Sequence, residues 1–133
     1  METSARVLNI LIRICGGAAL ALGVAFWLGY ARALTVLHIR FGIVVVLSLW
    51  VLAAIAWWKT TRHSLALFTT AWALATLVFG MMQAQLLPGP LHWIVKVAHL
   101  GVGVVALGLG AQLATAITVE RTHTRGAKVA ETR

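Results

Sequence analysis

Three ionisable side chains stand in the first half of an apolar stretch that covers residues 90–120, namely His92, Lys96 and His99. Ionisable groups within a membrane helix are costly, so by default they suggest a functional site. Small residues continue the helical face of His99: Gly103, Ala106 and Gly110. A nitrogen ligand beside such a shallow groove can hold a flat apolar cofactor such as haem.

A second histidine stands at a matching position in another apolar segment. His38 lies 21 positions before Lys59, and His99 lies 21 positions before Glu120. If both segments cross in the same direction, a rise of about 1.5 Å per residue puts the two imidazoles at nearly equal depth. A glycine follows each histidine four positions later: Gly42 and Gly103. That spacing places the glycine on the histidine's own face and leaves room for the edge of a macrocycle.

Two neutral imidazoles that face each other across a bundle suit the axial ligation of haem iron. We therefore expect one haem b per chain, with His38 and His99 as ligands. Lys96, one turn from His99, is a candidate partner for a haem propionate, as is Arg40, although Arg40 points to a different face. His92 shares the face of His99 and can either contact a propionate or replace His99 as the ligand.

The remaining polar residues have simpler interpretations. A histidine near a membrane interface is often only an interfacial polar residue, and His92 beside Trp93 fits that description. His63 and His123 are interpreted as surface residues. The two methionines at positions 81 and 82 are interpreted as packing residues, although a methionine axial ligand stays open.

The composition indicates that the chain resides in lipid. Its residues are 61% hydrophobic and its mean hydropathy is +0.93. Four segments are long and apolar enough to cross a bilayer, at about 7–30, 34–58, 64–87 and 91–119. We expect a single all-α domain over residues 1–120, an integral-membrane four-helix bundle, followed by a polar and disordered tail at 121–133. The first segment is long enough to serve as an anchor, so we expect no separate cleavable signal peptide.

The charged residues indicate an orientation and exclude several classes of protein. Eight of the eleven lysines and arginines fall at one end of the segments, which predicts that both termini are cytoplasmic and that the histidine pair lies toward the outer side. The three acids lie outside the spans or at their rims, which disfavours a proton-coupled exporter: Glu2, Glu120 and Glu131. The net charge of +8 is scattered over the helix ends, which argues against nucleic-acid binding.

Histidines on the second and fourth helices of a membrane bundle resemble the b-type cytochromes. The chain is similar to the haem core of the quinol-oxidising bc complexes and to small four-helix, b561-like superoxide and quinol oxidoreductases, over residues 7–119. The bc cores carry a second histidine on each ligand helix. Leu52 and Leu113 stand at the equivalent positions here, so the resemblance implies one haem rather than two.

These features predict a membrane haem b protein that carries single electrons near the outer face, linked to a quinol or to superoxide. Whether it is an enzyme stays open. The alternative is a non-redox membrane subunit or assembly factor that packs through its glycine faces. Gly16 and Gly23 on the first segment fit either a haem edge or a contact between copies, and we expect a homodimer. The expected location is a bacterial-type inner membrane, with lipid and a quinone or redox protein as partners.

Overall fold

The computed structural model describes the backbone of residues 2–131 and the side chains of residues 3–120. Its four α-helices are α1 (Glu2–Trp27), α2 (Thr35–Lys59), α3 (His63–Met82) and α4 (His92–Glu131). A short 3₁₀ helix, Arg32–Leu34, precedes α2. The predicted all-α, four-helix architecture is confirmed.

Each helix contains a span that is long and apolar enough to cross a membrane: Thr3–Trp27, Arg32–Lys59, His63–Met82 and His92–Glu120. The outward surface is made of large apolar side chains, among them Ile14, which is 65% exposed, and Trp58, which is 80% exposed. A soluble monomer rarely exposes apolar patches on this scale, whereas a bilayer is their natural solvent. The structure therefore has the features of a multi-pass membrane protein.

The helices pack as an up-and-down bundle. Helices α1 and α3 each contact α2 and α4, and α2 also contacts α4 across the bundle. Short connections make sequential helices antiparallel, so α2 and α4 run in the same direction. Their first turns therefore lie at the same end of the bundle, which is the relationship that the residue counts from Lys59 and Glu120 predict.

The half of the bundle away from the first turns of α2 and α4 is closely packed. Ile12, Leu49, Leu52 and Leu113 are fully buried there. A Cβ at Gly110 would lie 3.1 Å from Ile12 and 3.2 Å from Leu49, so the absence of a side chain allows the helices to approach closely. Leu52 and Leu113 thus belong to the core of this half.

Helix α1 ends at Trp27, earlier than the predicted position 30, because a glycine cap stops it. Gly29 adopts a left-handed conformation with φ 89°. The amide of Tyr30 donates to the carbonyl of Ala25 at 2.8 Å, and the amide of Gly29 donates to Phe26 at 3.1 Å. These two bonds form a Schellman motif, which satisfies the last carbonyls of the helix.

Helix α3 ends at Met82, whereas the sequence predicts helix as far as residue 87. Leu87 precedes Pro88, and proline disfavours the right-handed helical conformation in the residue before it. In the structure Leu87 has φ 44° and Gly89 has φ 100°, so both residues adopt left-handed backbone conformations in the connection to α4. The segment between Met82 and His92 is therefore the connection in which the chain reverses direction.

Helix α4 continues beyond the predicted span. Its backbone is helical as far as Glu131, through residues that the sequence predicts as a disordered tail. This stretch contains no proline, and alanine, arginine, lysine and glutamate favour helix. Residues 132 and 133 of the predicted tail lie outside the described range.

Candidate cofactor site

A cavity of about 730 Å³ lies among all four helices, at the end of the bundle where α2 and α4 begin. Its size is within the range of about 300–1,000 Å³ that is usual for small-molecule and cofactor sites. Most of its wall is aliphatic or glycine, and its ionisable lining residues are His38, His92, Lys96 and His99. The cavity is therefore an apolar chamber with a few nitrogen-bearing side chains.

His38 enters the cavity from the first turns of α2. Its Nδ1 lies 2.9 Å from the backbone carbonyl oxygen of Ala19 on α1. A carbonyl only accepts, so Nδ1 carries the proton and donates, which leaves the lone pair on Nε2. The ring of Phe26 packs edge-on against the imidazole at a centroid distance of 5.5 Å. Helix α1 thus fixes both the tautomer and the orientation of this histidine.

His99 enters from α4 and lies beside His38. The centroids of the two imidazoles are 6.2 Å apart and their planes are inclined by 52°. Phe79 of α3 packs against the His99 ring at a centroid distance of 5.8 Å. The Nδ1 atom of His99 is buried and has no hydrogen-bond partner among the described residues. The structure therefore brings the two predicted ligands together, although a hydrogen bond to Nδ1 holds His38 and none holds His99 among the described residues.

The separation of the two rings suits a shared metal ion. An imidazole nitrogen binds a first-row metal at about 2.0–2.1 Å and the ring centre lies about 1.1 Å farther away, so two rings on opposite sides of one ion would have centres about 6.2–6.4 Å apart. The observed centroid distance is 6.2 Å. The proton that His38 carries on Nδ1 leaves the lone pair of its Nε2 available to a metal.

Two glycines from neighbouring helices make room for the histidine rings. A Cβ at Gly23 of α1 would lie 3.5 Å from Cε1 of His38, and a Cβ at Gly80 of α3 would lie 3.2 Å from Cε1 of His99. The first distance is an ordinary contact, whereas the second is tight. The lack of a side chain at Gly80 therefore leaves room for the His99 ring, whereas Gly23 lies at an ordinary contact distance from His38.

The two glycines that the sequence places beside the histidines differ in their surroundings. Both line the cavity. A Cβ at Gly42 would meet no described atom within 4 Å, so this position opens into the cavity. A Cβ at Gly103 would lie 3.2 Å from Cδ2 of Leu20, so this position also serves the packing of α1 against α4.

The other predicted site residues separate into two groups. Lys96 and His92 line the cavity and are partly buried. Nδ1 of His92 lies 3.1 Å from the carbonyl oxygen of Leu86, so the loop before α4 holds this ring. Arg40 is exposed and does not line the cavity. Lys96 is therefore the one lysine or arginine among the described residues that lines the cavity.

The remaining histidines are not part of this site. His63 is exposed at the start of α3 and packs against Trp57, with a centroid distance of 4.6 Å. The side chain of His123 lies outside those that the structure describes. Met81 lines the cavity but is 75% exposed, as expected of a residue that also faces lipid.

Sequence reasoning missed four contributors to the site. They are the Ala19 carbonyl, the rings of Phe26 and Phe79, and Gly80, which all contact the histidines from neighbouring helices. No local pattern identifies a backbone carbonyl as a hydrogen-bond acceptor. Gly80 had a weak signal, as a glycine within an otherwise apolar helix, because such a glycine often marks a close approach of another group.

Among the described residues, no three histidine, cysteine, aspartate or glutamate side chains gather as they would around a bare metal ion. A haem iron needs only two protein ligands, because its macrocycle supplies the others. Comparison with known proteins finds no matching family model, curated relative or solved structure. The geometry of the chain itself is therefore the guide to its function.

Proposed function

We propose that the protein is an integral-membrane haem b protein that transfers single electrons, with His38 and His99 as the two axial ligands. The observation that carries this proposal is the pair of imidazoles whose centroids lie 6.2 Å apart within one cavity. One haem per chain follows, because one such pair exists among the described side chains and the opposite half of the bundle is filled by buried leucines.

The residues present fit the group. The cavity wall is largely apolar, as the macrocycle requires, and Gly42 leaves part of that wall open. Lys96 and His92 supply positive charge and a hydrogen-bonding nitrogen at the edge of the same cavity, which suits the carboxylates of haem. Nδ1 of His99 is buried and has no hydrogen-bond partner among the described residues, so this nitrogen lies in an apolar setting.

Haem iron with two histidine ligands supplies reversible one-electron chemistry at a site where both axial positions are filled. The chain itself performs three tasks. The Ala19 carbonyl holds His38 in the tautomer that presents Nε2. Phe26 and Phe79 pack against the two rings and limit the access of water. Lys96 stabilises negative charge at the cavity edge.

The proposed location of the site limits the path of the electrons. The orientation predicted from lysine and arginine puts the cavity toward the outer side of a bacterial-type inner membrane, with both termini cytoplasmic. A single site near one face cannot pass electrons across the whole bilayer. The proposed donor and acceptor therefore approach from the same side, and a membrane quinol or superoxide fits this arrangement.

The second candidate function is a non-redox membrane subunit. It is favoured by the contacts of Gly16 and Gly110, which pack against other helices of the chain in the way small residues do in any membrane bundle. A homodimer stays part of the proposal, but it needs a face other than that of Gly16 and Gly23, because both glycines point into the bundle at Leu107 and His38.

The absorption spectrum of the purified protein tests the choice between these functions. The protein is expressed with ample haem precursor, and spectra are recorded before and after reduction with dithionite. The haem proposal expects a low-spin spectrum whose α and β bands sharpen on reduction. A colourless protein that is correctly inserted and helical supports the non-redox subunit.

A further inference from the structure

The two histidines of the cavity are anchored unequally. Nδ1 of His38 lies 2.9 Å from the Ala19 carbonyl oxygen, which belongs to a different helix. Nδ1 of His99 is buried and lacks any hydrogen-bond partner among the described residues. Gly80 of α3 lies beside this ring, where a Cβ would be 4.0 Å from that nitrogen, but glycine has no side chain that could donate or accept.

This difference affects metal binding in a predictable direction. A carbonyl that accepts from Nδ1 fixes the ring and makes Nε2 a stronger ligand, and loss of such a partner typically lowers metal affinity about 10- to 100-fold. A buried polar nitrogen without a partner is also unfavourable, so movement of the His99 ring can relieve that cost. Both effects favour His38 as the firmly bound ligand and His99 as the weaker one.

We infer that His99 is an exchangeable ligand, and that its side of the cavity admits a small diatomic molecule when the ring moves aside. This inference rests on the proposed haem function. The space needed is the volume of the imidazole itself, within a cavity of about 730 Å³. Exchange breaks one Nε2–metal bond and forms one bond from the metal to the diatomic ligand, with no net oxidation or reduction.

Carbon monoxide is the probe for the unmodified protein. The dithionite-reduced protein is exposed to carbon monoxide, and the difference spectrum is recorded against the reduced form. We expect a shifted Soret band at saturating gas, with a binding rate that levels off because departure of His99 limits it. A haem-loaded protein whose spectrum does not change in carbon monoxide overturns the inference and leaves the proposed function intact.

Two alanine variants identify the exchangeable side. His99→Ala is expected to retain haem close to the unmodified stoichiometry and to bind carbon monoxide rapidly. His38→Ala is expected to retain at least about tenfold less haem, because it loses the ligand that the Ala19 carbonyl supports. Equal retention in both variants, or better retention in His38→Ala, contradicts the assignment.

A gain-of-partner variant tests the unpartnered nitrogen without removing a ligand. Gly80→Ser puts a hydroxyl within reach of His99 Nδ1, because the Cβ at this position lies 4.0 Å from that atom. Gly80→Ala adds the same Cβ, with the same tight 3.2 Å approach to Cε1, but no hydroxyl. One added hydrogen bond should weaken carbon monoxide binding about two- to tenfold in Gly80→Ser relative to Gly80→Ala.

The outcomes separate the inference from the function on which it rests. If the unmodified protein contains no haem, the proposed function fails first. If haem is present and Gly80→Ser binds carbon monoxide as tightly as Gly80→Ala, the missing hydrogen bond does not control exchange and the inference is wrong. Weaker binding in Gly80→Ser together with rapid binding in His99→Ala supports it.

Discussion

The imidazoles of His38 and His99 lie with their centroids 6.2 Å apart, although they come from helices that are not consecutive in the chain. Each ring reaches the cavity from the first turns of its helix. His38 lies near Gly23 of α1, and His99 lies near Gly80 of α3. The rest of the bundle can be understood as the support for this pair. The predictions below test whether the pair binds haem.

Both histidines are needed for the low-spin state. We expect His38→Ala and His99→Ala each to abolish the low-spin, two-imidazole spectrum, because each leaves one axial position of the iron unfilled. The matched control is His63→Ala, since His63 is exposed and packs only against Trp57. Electron paramagnetic resonance of the oxidised protein measures the change. If His92→Ala removes the signal and His99→Ala does not, His92 is the ligand on α4.

The open side of the cavity should be sensitive to added volume. Gly42→Leu is expected to lower haem content at least about tenfold, because the new side chain would occupy part of the cavity and a rigid macrocycle cannot change shape to avoid it. The control is Gly108→Leu, where a Cβ would meet no described atom within 4 Å and the residue does not line the cavity. Haem content is measured per folded protein. Equal haem content in the two variants would show that the cavity is not the site.

Gly103→Leu is a less specific test than the sequence suggests. The sequence predicts that this change displaces haem, but the Cβ would also press on Leu20 at 3.2 Å. We therefore expect loss of haem together with a lower midpoint of thermal unfolding. Normal haem binding in this variant would show that this face of α4 only packs against α1 and does not bind haem.

The glycine face of α1 should stabilise the single chain. Gly16→Leu is expected to destabilise the protein by about 1–3 kcal/mol, because its side chain would collide with Leu107. Gly17→Leu is the adjacent control, since Gly17 is exposed and has open space beside it in the described structure. Thermal unfolding in detergent measures the difference. If Gly16→Leu instead dissociates a dimer and leaves the stability of the chain unchanged, this face is an intermolecular contact.

Lys96 should raise the reduction potential. Reduction adds negative charge, and a nearby cation stabilises it, so Lys96→Gln is expected to lower the potential by about 20–60 mV. Arg40→Gln is the matched loss of one positive charge at an exposed position outside the cavity, and it should have a smaller effect. Potentiometric titration measures both. If the reduction potential shifts equally in the two variants, Lys96 has no specific role at the site.

The main features of the fold could be predicted from the sequence because lipid imposes strong constraints. A helix that crosses a bilayer must be long and apolar, and short connections fix its direction. Counting residues to the charged ends therefore predicted that His38 and His99 are neighbours. Helix ends were less predictable, since α1 ends at the Gly29 cap and α3 ends at Met82, five residues before Leu87.

The details of the site depended on contacts between helices that no local pattern contains. The sequence placed Gly103 beside its histidine on α4, yet the rotation of α4 against α1 decides that this position also contacts Leu20. It could not reveal that the Ala19 carbonyl reaches His38 while His99 has no such partner. Those differences arise from how the helices are rotated against one another.

The ratio of haem to protein chain tests the central claim most directly. A pyridine haemochrome assay on the purified protein, normalised to chain concentration by amino-acid analysis, gives this ratio without reference to any electron donor or acceptor. With His38 and His99 as the single ligand pair and buried leucines at positions 52 and 113, we expect a ratio near one haem b per chain. A ratio near two, or near zero after expression with ample haem, would contradict the account.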